Sequence, residues 1–308
     1  MSRPVVLIWS DPWFDVESAS RLLAGRCELT TDRARYGAAD AVIFPVPTIR
    51  YVGNAPPPRR GHPEQCWVAW CAECSVHFPE LDDPRFTGHF DLRMTYRFDS
   101  DVPIPYLWQG IFDELPAVVP PARRREVPVA AFVSSEWDRC GRNDYLAELM
   151  RHVEIDSYGR VWHNADLEDD RGVSTKLETI AGYRFAIAFE NAIGEDYVTE
   201  KFFDPLRVGS VPVYRGAPNV AGFAPGERCY VDATAFPGPH ELARFLAEMS
   251  DEEYGLYHEW RHRPLSPEFT RRCEQVAGHA IERLLRVLPV VQFGRRARLR
   301  RRGEPGAR

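Results

Sequence analysis

Apolar residues in this chain fall in short runs separated by stretches of helical period. Val5-Val6-Leu7-Ile8-Trp9 predicts a strand, Ser18 to Leu23 a short helix, and Ala41 to Phe44 a second strand. Cys66 to Cys71 predicts a third strand, with Ala69 and Cys71 on one face and Trp70 on the other. Pro116 to Pro128 then carries four prolines and three consecutive arginines, which sustain neither a helix nor a central strand and read as a linker. Beyond it the pattern restarts. Val129 to Val133, Val153 to Tyr158, Tyr183 to Phe189 and Val211 to Tyr214 predict strands, while Asp144 to His152 and Ser174 to Ala181 predict helices. Such alternation implies parallel sheets covered by helices on both faces. The expected architecture is two α/β domains facing each other across a cleft. From Glu268 to Leu288, apolar residues at Phe269, Val276, Ala280, Ile281, Leu284, Leu285 and Leu288 predict one amphipathic helix. A basic run, Gly294 to Arg302, follows and reads as a disordered tail.

Composition narrows the function classes. A length of 308 residues with 44% hydrophobic and 27% charged residues suits two soluble domains. The formal net charge of −6 argues against a general nucleic-acid binder. No run of about 18 apolar residues occurs, and Met1 to Trp9 lacks a signal-peptide pattern, so a cytoplasmic protein is expected. The arginine-rich end could also adsorb to the inner face of an anionic membrane. Seven cysteines without an export signal are expected to be reduced. Cys66, Cys71, Cys74 and His77 have ligand-type spacing, but no second Cys pair accompanies them, so buried thiols are the reading we take.

The chemistry concentrates between Tyr183 and Lys201. The apolar run Phe185 to Phe189 stops at Glu190 and Asn191; a Gly-containing loop follows, then Asp196 as the expected N-cap and Tyr197, Thr199, Glu200 and Lys201 in the first helical turns. Polar groups at a strand's carboxyl end, with a cation at the next helix's start, suit a nucleotide's phosphates. Lys201 is one of only two lysines among 39 basic residues, the other being Lys176. A compact ammonium is not interchangeable with guanidinium.

Glu190-Asn191, then Tyr197-Val198-Thr199-Glu200-Lys201 and Gly209-Ser210-Val211-Pro212-Val213-Tyr214-Arg215-Gly216, resemble the donor-binding signature of the α-1,3/4-fucosyltransferases, glycosyltransferase family 10. The resemblance runs from about Val5 to Trp260 and includes Cys27 to Arg33 with Ala39 to Val42, and Tyr96 to Asp101. It implies a GT-B fold of two Rossmann-like domains, with an acceptor-binding domain over 1–120, a donor-binding domain over 121–290 and a basic tail over 291–308. It also implies inverting transfer of fucose from GDP-fucose to a hydroxyl of an oligosaccharide acceptor, α-1,3 on a GlcNAc-containing glycan. A bacterial-type member without a membrane anchor is expected.

By the same resemblance, Ser134, Arg142, Glu190, Asn191, Tyr197, Thr199, Glu200 and Lys201 bind the donor. Arg142 and Lys201 would neutralise the leaving pyrophosphate, so that no metal or other cofactor is required. Glu73, in Trp67-Val68-Ala69-Trp70-Cys71-Ala72-Glu73-Cys74-Ser75, matches the family's general base. The family's E-S-P reads E-C-S here, which removes a rigid proline beside that glutamate. The plain alternatives are a solvated loop glutamate at 73, helix capping at Thr199 and Glu200, and a surface ion pair at Lys201. Asp99-Ser100-Asp101 is a D-x-D by letter and is read as structural. Pro205 should kink or shorten its helix. Alternative functions are transfer of another GDP-linked sugar, or nucleotide-sugar binding without catalysis.

Overall fold

The computed structural model describes residues 3–10, 15–53, 55–107, 110–111, 115 and 126–302, with the side chains of 298–302 excluded. The chain divides into two compact units, 1–104 with 278–308, and 105–277. Each is built on a five-stranded sheet whose recorded strand pairs are all parallel.

The first unit's sheet runs in the order β2-β1-β3-β4-β5. Its strands are β1 (Val5–Ile8), β2 (Glu28–Thr30), β3 (Ala41–Pro45), β4 (Cys66–Cys71) and β5 (Leu92–Thr95). Strand alternation sends Cys66 and Val68 into one core with Val6, Ile43 and Met94, and sends Ala69 and Cys71 to the other face against Phe78 and Leu81. Cys66 and Cys71 therefore point away from each other and cannot share a metal ion. Burial pushes the Cys66 thiol up to about 12 and the Cys71 thiol up as well. Among the described residues no group of three or more His, Cys, Asp or Glu is placed to hold a metal.

The second unit's sheet runs β10-β9-β8-β6-β7. Its strands are β6 (Val129–Ala131), β7 (Ile155–Ser157), β8 (Phe185–Phe189), β9 (Val211–Arg215) and β10 (Val231–Asp232). β8 is central, and all five of its residues are buried. Phe185, Ile187 and Phe189 pack with Leu146, Leu149, Leu242 and Leu246. On the other face Ala186 leaves room for Pro205 of the helix Glu200–Val208. That helix starts three residues later than expected and runs only nine residues; Pro205 lies inside it, and it ends at Gly209, whose φ of 80° suits glycine.

The C-terminal region departs most from expectation. The single helix expected over Glu268 to Leu288 is two, Pro267–Gln275 and Ala280–Arg302, parted by Gly278 at φ 79°. The halves of the apolar stripe bury separately. Phe269 and Cys273 are buried in the second unit, whereas Ile281, Leu284 and Leu288 complete the core of the first. The expected boundary at 290 is thereby corrected, since 278–290 belong with the first unit. The tail is corrected too, being helical to Arg302. Arg295 pairs with Asp91 at 2.7 Å and Arg296 with Glu64 at 2.6 Å, which ties the helix down by charge as well as by apolar contact. Most of the expected linker, 116–125, lies outside the described residues.

Candidate active site

In the second unit the site begins where β8 ends. Glu190 has no exposed surface, and its backbone N–H still bonds to the Arg215 carbonyl at 2.8 Å, so the sheet itself fixes this side chain. Its carboxylate accepts the Thr199 N–H at 2.7 Å and the Thr199 hydroxyl at 2.8 Å, and Lys201 Nζ stands 3.6 Å away. Thr199 is the N-cap of the helix Glu200–Val208. The expected cap, Asp196, instead lies at φ 65° and accepts hydrogen bonds from Asn219 Nδ2 (2.9 Å) and Arg272 Nη1 (3.1 Å). One buried carboxylate thus anchors the start of the helix that presents the lysine.

Lys201 Nζ reaches the Thr199 hydroxyl at 3.0 Å and Glu200 Oε1 at 3.1 Å, with 22% of its side chain exposed. Burial works against its charge, but Glu190 and Glu200 more than offset that and raise its pKa. Glu190 shows the opposite balance. Burial raises it from 4.5 to about 6, against the pull of Lys201 and the bonds from Thr199. Glu200 is lowered, because Lys201 and then Lys176 outweigh its own burial. Lys176, on the helix Val173–Ile180, pairs with buried Asp204 at 2.9 Å, so both lysines of the chain line one small cavity beside Phe132 and Pro205.

Arg142 opens the helix Arg142–Leu149 and is 1% exposed. Its Nη2 donates to the Ser135 and Trp137 carbonyls and its Nε to Asn143 Oδ1, while none of these bonds among the described residues uses Nη1. Asp138 holds the preceding turn by accepting the N–H groups of Cys140, Arg142 and Asn143 at 2.9–3.0 Å. Burial lowers the Arg142 pKa, although Asp138, Cys140, Glu190 and Tyr197 act in the other direction. The turn is stitched to the end of β8, with Arg139 N–H on the Asn191 carbonyl (2.9 Å) and the Cys140 thiol on the Glu190 carbonyl (3.2 Å).

Arg142, Glu190, Asn191, Tyr197, Thr199, Glu200 and Lys201 are therefore brought together around one strand end. Asn191 is buried, and its Oδ1 has no hydrogen-bond donor among the described residues, an acceptor whose desolvation they leave uncompensated. Tyr197 is 1% exposed, its ring packed edge-on against Tyr106, so it shapes the site from beneath. Ser134 is exposed, three residues beyond β6, and its carbonyl accepts Arg160 Nε at 3.2 Å. Glu73 lies in the first unit, half-buried in the bend just after β4. Asp99 and Asp101 bond to Arg97 (3.1 Å) and to the Arg93 N–H (2.7 Å), as structural roles would have it. The sequence did not single out Asp138 or Asp204, and Arg215 entered only as part of the 209–216 motif, with no role of its own. The D-x-C-G-R spacing ahead of a helix was the available signal for Asp138.

Two family models cover most of the chain. Glycosyltransferase family 10 (fucosyltransferase) C-term matches residues 122–288, and Fucosyltransferase, N-terminal matches residues 1–107. The chain belongs to glycosyltransferase family 10, the fucosyltransferases. It is 32% identical over 272 residues to the 4-galactosyl-N-acetylglucosaminide 3-alpha-L-fucosyltransferase FUT6 of Homo sapiens, covering 84% of this chain and 73% of that one. It is 30% identical over 280 residues to the GDP-fucose protein O-fucosyltransferase 3 of Canis lupus familiaris, where it spans 58% of the relative's length. A crystal structure of an alpha1,3-fucosyltransferase with GDP superposes with a TM-score of 0.58 at 15% identity, over 83% of this chain and 82% of that one. That likeness establishes the fold, which is the GT-B type expected from the sequence. No helix among the described residues is long and apolar enough to cross a membrane.

Proposed function

We propose that this protein is an inverting fucosyltransferase that moves fucose from GDP-fucose to a hydroxyl of a glycan acceptor, forming an α-1,3 linkage. The observation that carries the reading is the buried Glu190–Thr199–Lys201 cluster beside Arg142 at the carboxyl end of β8, in a family 10 chain. Lys201 and Arg142 hold the diphosphate and neutralise the charge that grows on it as the sugar–oxygen bond breaks. The uncompensated Asn191 Oδ1 accepts a hydrogen bond from the nucleotide sugar. Glu73 takes the proton of the acceptor hydroxyl as its oxygen bonds to the anomeric carbon and GDP departs from the opposite face. The charge on these two cations, in a buried setting, supports turnover without a metal ion. The named activity of the human 3-alpha-L-fucosyltransferase relative supports the linkage.

Release of GDP from GDP-fucose tests this, in EDTA, over a panel of GlcNAc-containing glycans and Ser/Thr peptides; the peptides answer to the protein O-fucosyltransferase relative. Acceptor-dependent GDP is expected from the glycans. Glu73→Gln should lower kcat by about 10²–10⁴ while donor affinity holds. Donor binding without product from any acceptor would leave a nucleotide-sugar binding protein, and a preference for another GDP-sugar would replace fucose.

A further inference from the structure

We propose that Arg215 is a positioning residue for the donor diphosphate, acting through Arg142. The assignment rests on the GDP-fucose reading above and concerns a residue that reading leaves without a role. Arg215 is the last residue of β9, beside β8. Its main chain and side chain serve different halves of the site. The carbonyl takes the Glu190 N–H at 2.8 Å, and Nη2 crosses to the Cys140 carbonyl at 2.9 Å. Cys140 is two residues before Arg142, and Gly141 between them sits at φ 69°, a left-handed turn that glycine adopts readily, so the Cys140 carbonyl is the point at which Arg215 holds this turn. The guanidinium also lies 5.3 Å from the ring centre of Tyr145, on the helix that Arg142 opens, so it grips that helix start at two points.

The neighbouring geometry leaves little slack. A Cβ at Gly216 would stand 2.5 Å from Glu190 Cγ and 2.4 Å from the Tyr214 hydroxyl, so the backbone after Arg215 passes too close to the Glu190 side chain for any residue but glycine. Arg215 Nη1 is buried without a hydrogen bond among the described residues, a cost offset by what Nη2 and the ring contact hold. A residue whose two ends fix Glu190 and the Arg142 turn sets the spacing between the cation on each. Losing it frees the turn and moves Arg142 relative to Lys201, which a diphosphate senses and a bare nucleoside does not.

Calorimetric affinities for GDP, and for guanosine by competition, test the assignment on the purified chain. Arg215→Met should weaken GDP about tenfold or more, the loss of one charge-assisted hydrogen bond, and change guanosine less than threefold. Arg215→Lys, with a cation but no fork, should recover only part of the loss and leave GDP several-fold weaker than in wild type. In an Arg142→Met background, adding Arg215→Met should cost less than threefold, because the two act as one unit. GDP affinity unchanged in Arg215→Met, equal losses for GDP and guanosine, or a full additional loss in the Arg142→Met background would each overturn the assignment. If Arg215→Met does not fold, Arg215→Lys decides: a several-fold loss for GDP alone sustains the proposal, and none overturns it. Wild type that does not bind GDP at all would overturn the donor reading and this assignment together.

Discussion

Replacing Glu190 by glutamine isolates the energetic strain in the site. The side chain keeps its shape, but the buried charge and its attraction for Lys201 disappear. In the wild type, burial holds the Glu190 carboxyl at about 6 against its ordinary 4.5. At 1.36 kcal/mol per unit this is about 2 kcal/mol of native stability. The sign follows from proton counting. Between pH 4.5 and 6 the folded chain keeps a proton that the unfolded chain has released, so stability falls as pH rises through that window. The cost is absent below about pH 4.5 and complete above about pH 6. Glu190→Gln has nothing to ionise there, so its stability relative to wild type should rise by about 2 kcal/mol between pH 4 and 7.5. Urea unfolding of both proteins at the two pH values measures this, and other titrating groups cancel in the difference. Donor affinity should fall in the same variant, since glutamine cannot accept both Thr199 bonds and also attract the Lys201 ammonium. A difference that stays flat with pH, or that moves against the variant, would refute the argument that Glu190 is held ionised against its environment.

Two further outcomes probe the frame around the site. His258 has both ring nitrogens buried without a hydrogen bond among the described residues, and burial, then Arg261, lowers its pKa to about 4. Below pH 6.5 the unfolded chain takes up the proton first, so about 3 kcal/mol of stability should be lost by pH 4; His258→Phe should remove that acid limb in pH-dependent unfolding. Leu284 is fully buried in the first unit's core on the last helix. Leu284→Ala should cost about 2–5 kcal/mol in urea unfolding, and a cost below about 1 kcal/mol would contradict its place in that core.

Local pattern carried the centre of each sheet and failed at the margins. Phe185 to Phe189 is legible because a run buried on both faces tolerates no polar residue. β2 and β10 have only three and two residues, and β5 carries Arg93 in its middle, so none offered a periodic signal. Asp196 satisfied the local capping rule, yet its carboxylate is taken by Asn219 and Arg272, which lie far along the chain. Thr199 then caps the helix. The same applies to the long C-terminal stripe. Its period is helical throughout, and only Gly278 marks where it passes from one core to the other. The site residues between Glu190 and Lys201 were readable as a family motif; that Glu190 bonds Thr199 and steadies Lys201 is a matter of tertiary geometry. Arg215 lay inside a recognised motif, but its bond to the Cys140 carbonyl spans 75 residues.

The most direct test of the donor site is calorimetric titration of GDP-fucose into wild type, Lys201→Met and Arg142→Met, in EDTA. The account predicts measurable wild-type affinity and a loss of about ten- to a hundredfold in each variant, the worth of one charge-assisted contact to a phosphate. Undiminished binding in both variants would place the diphosphate elsewhere and contradict the assignment of these two cations.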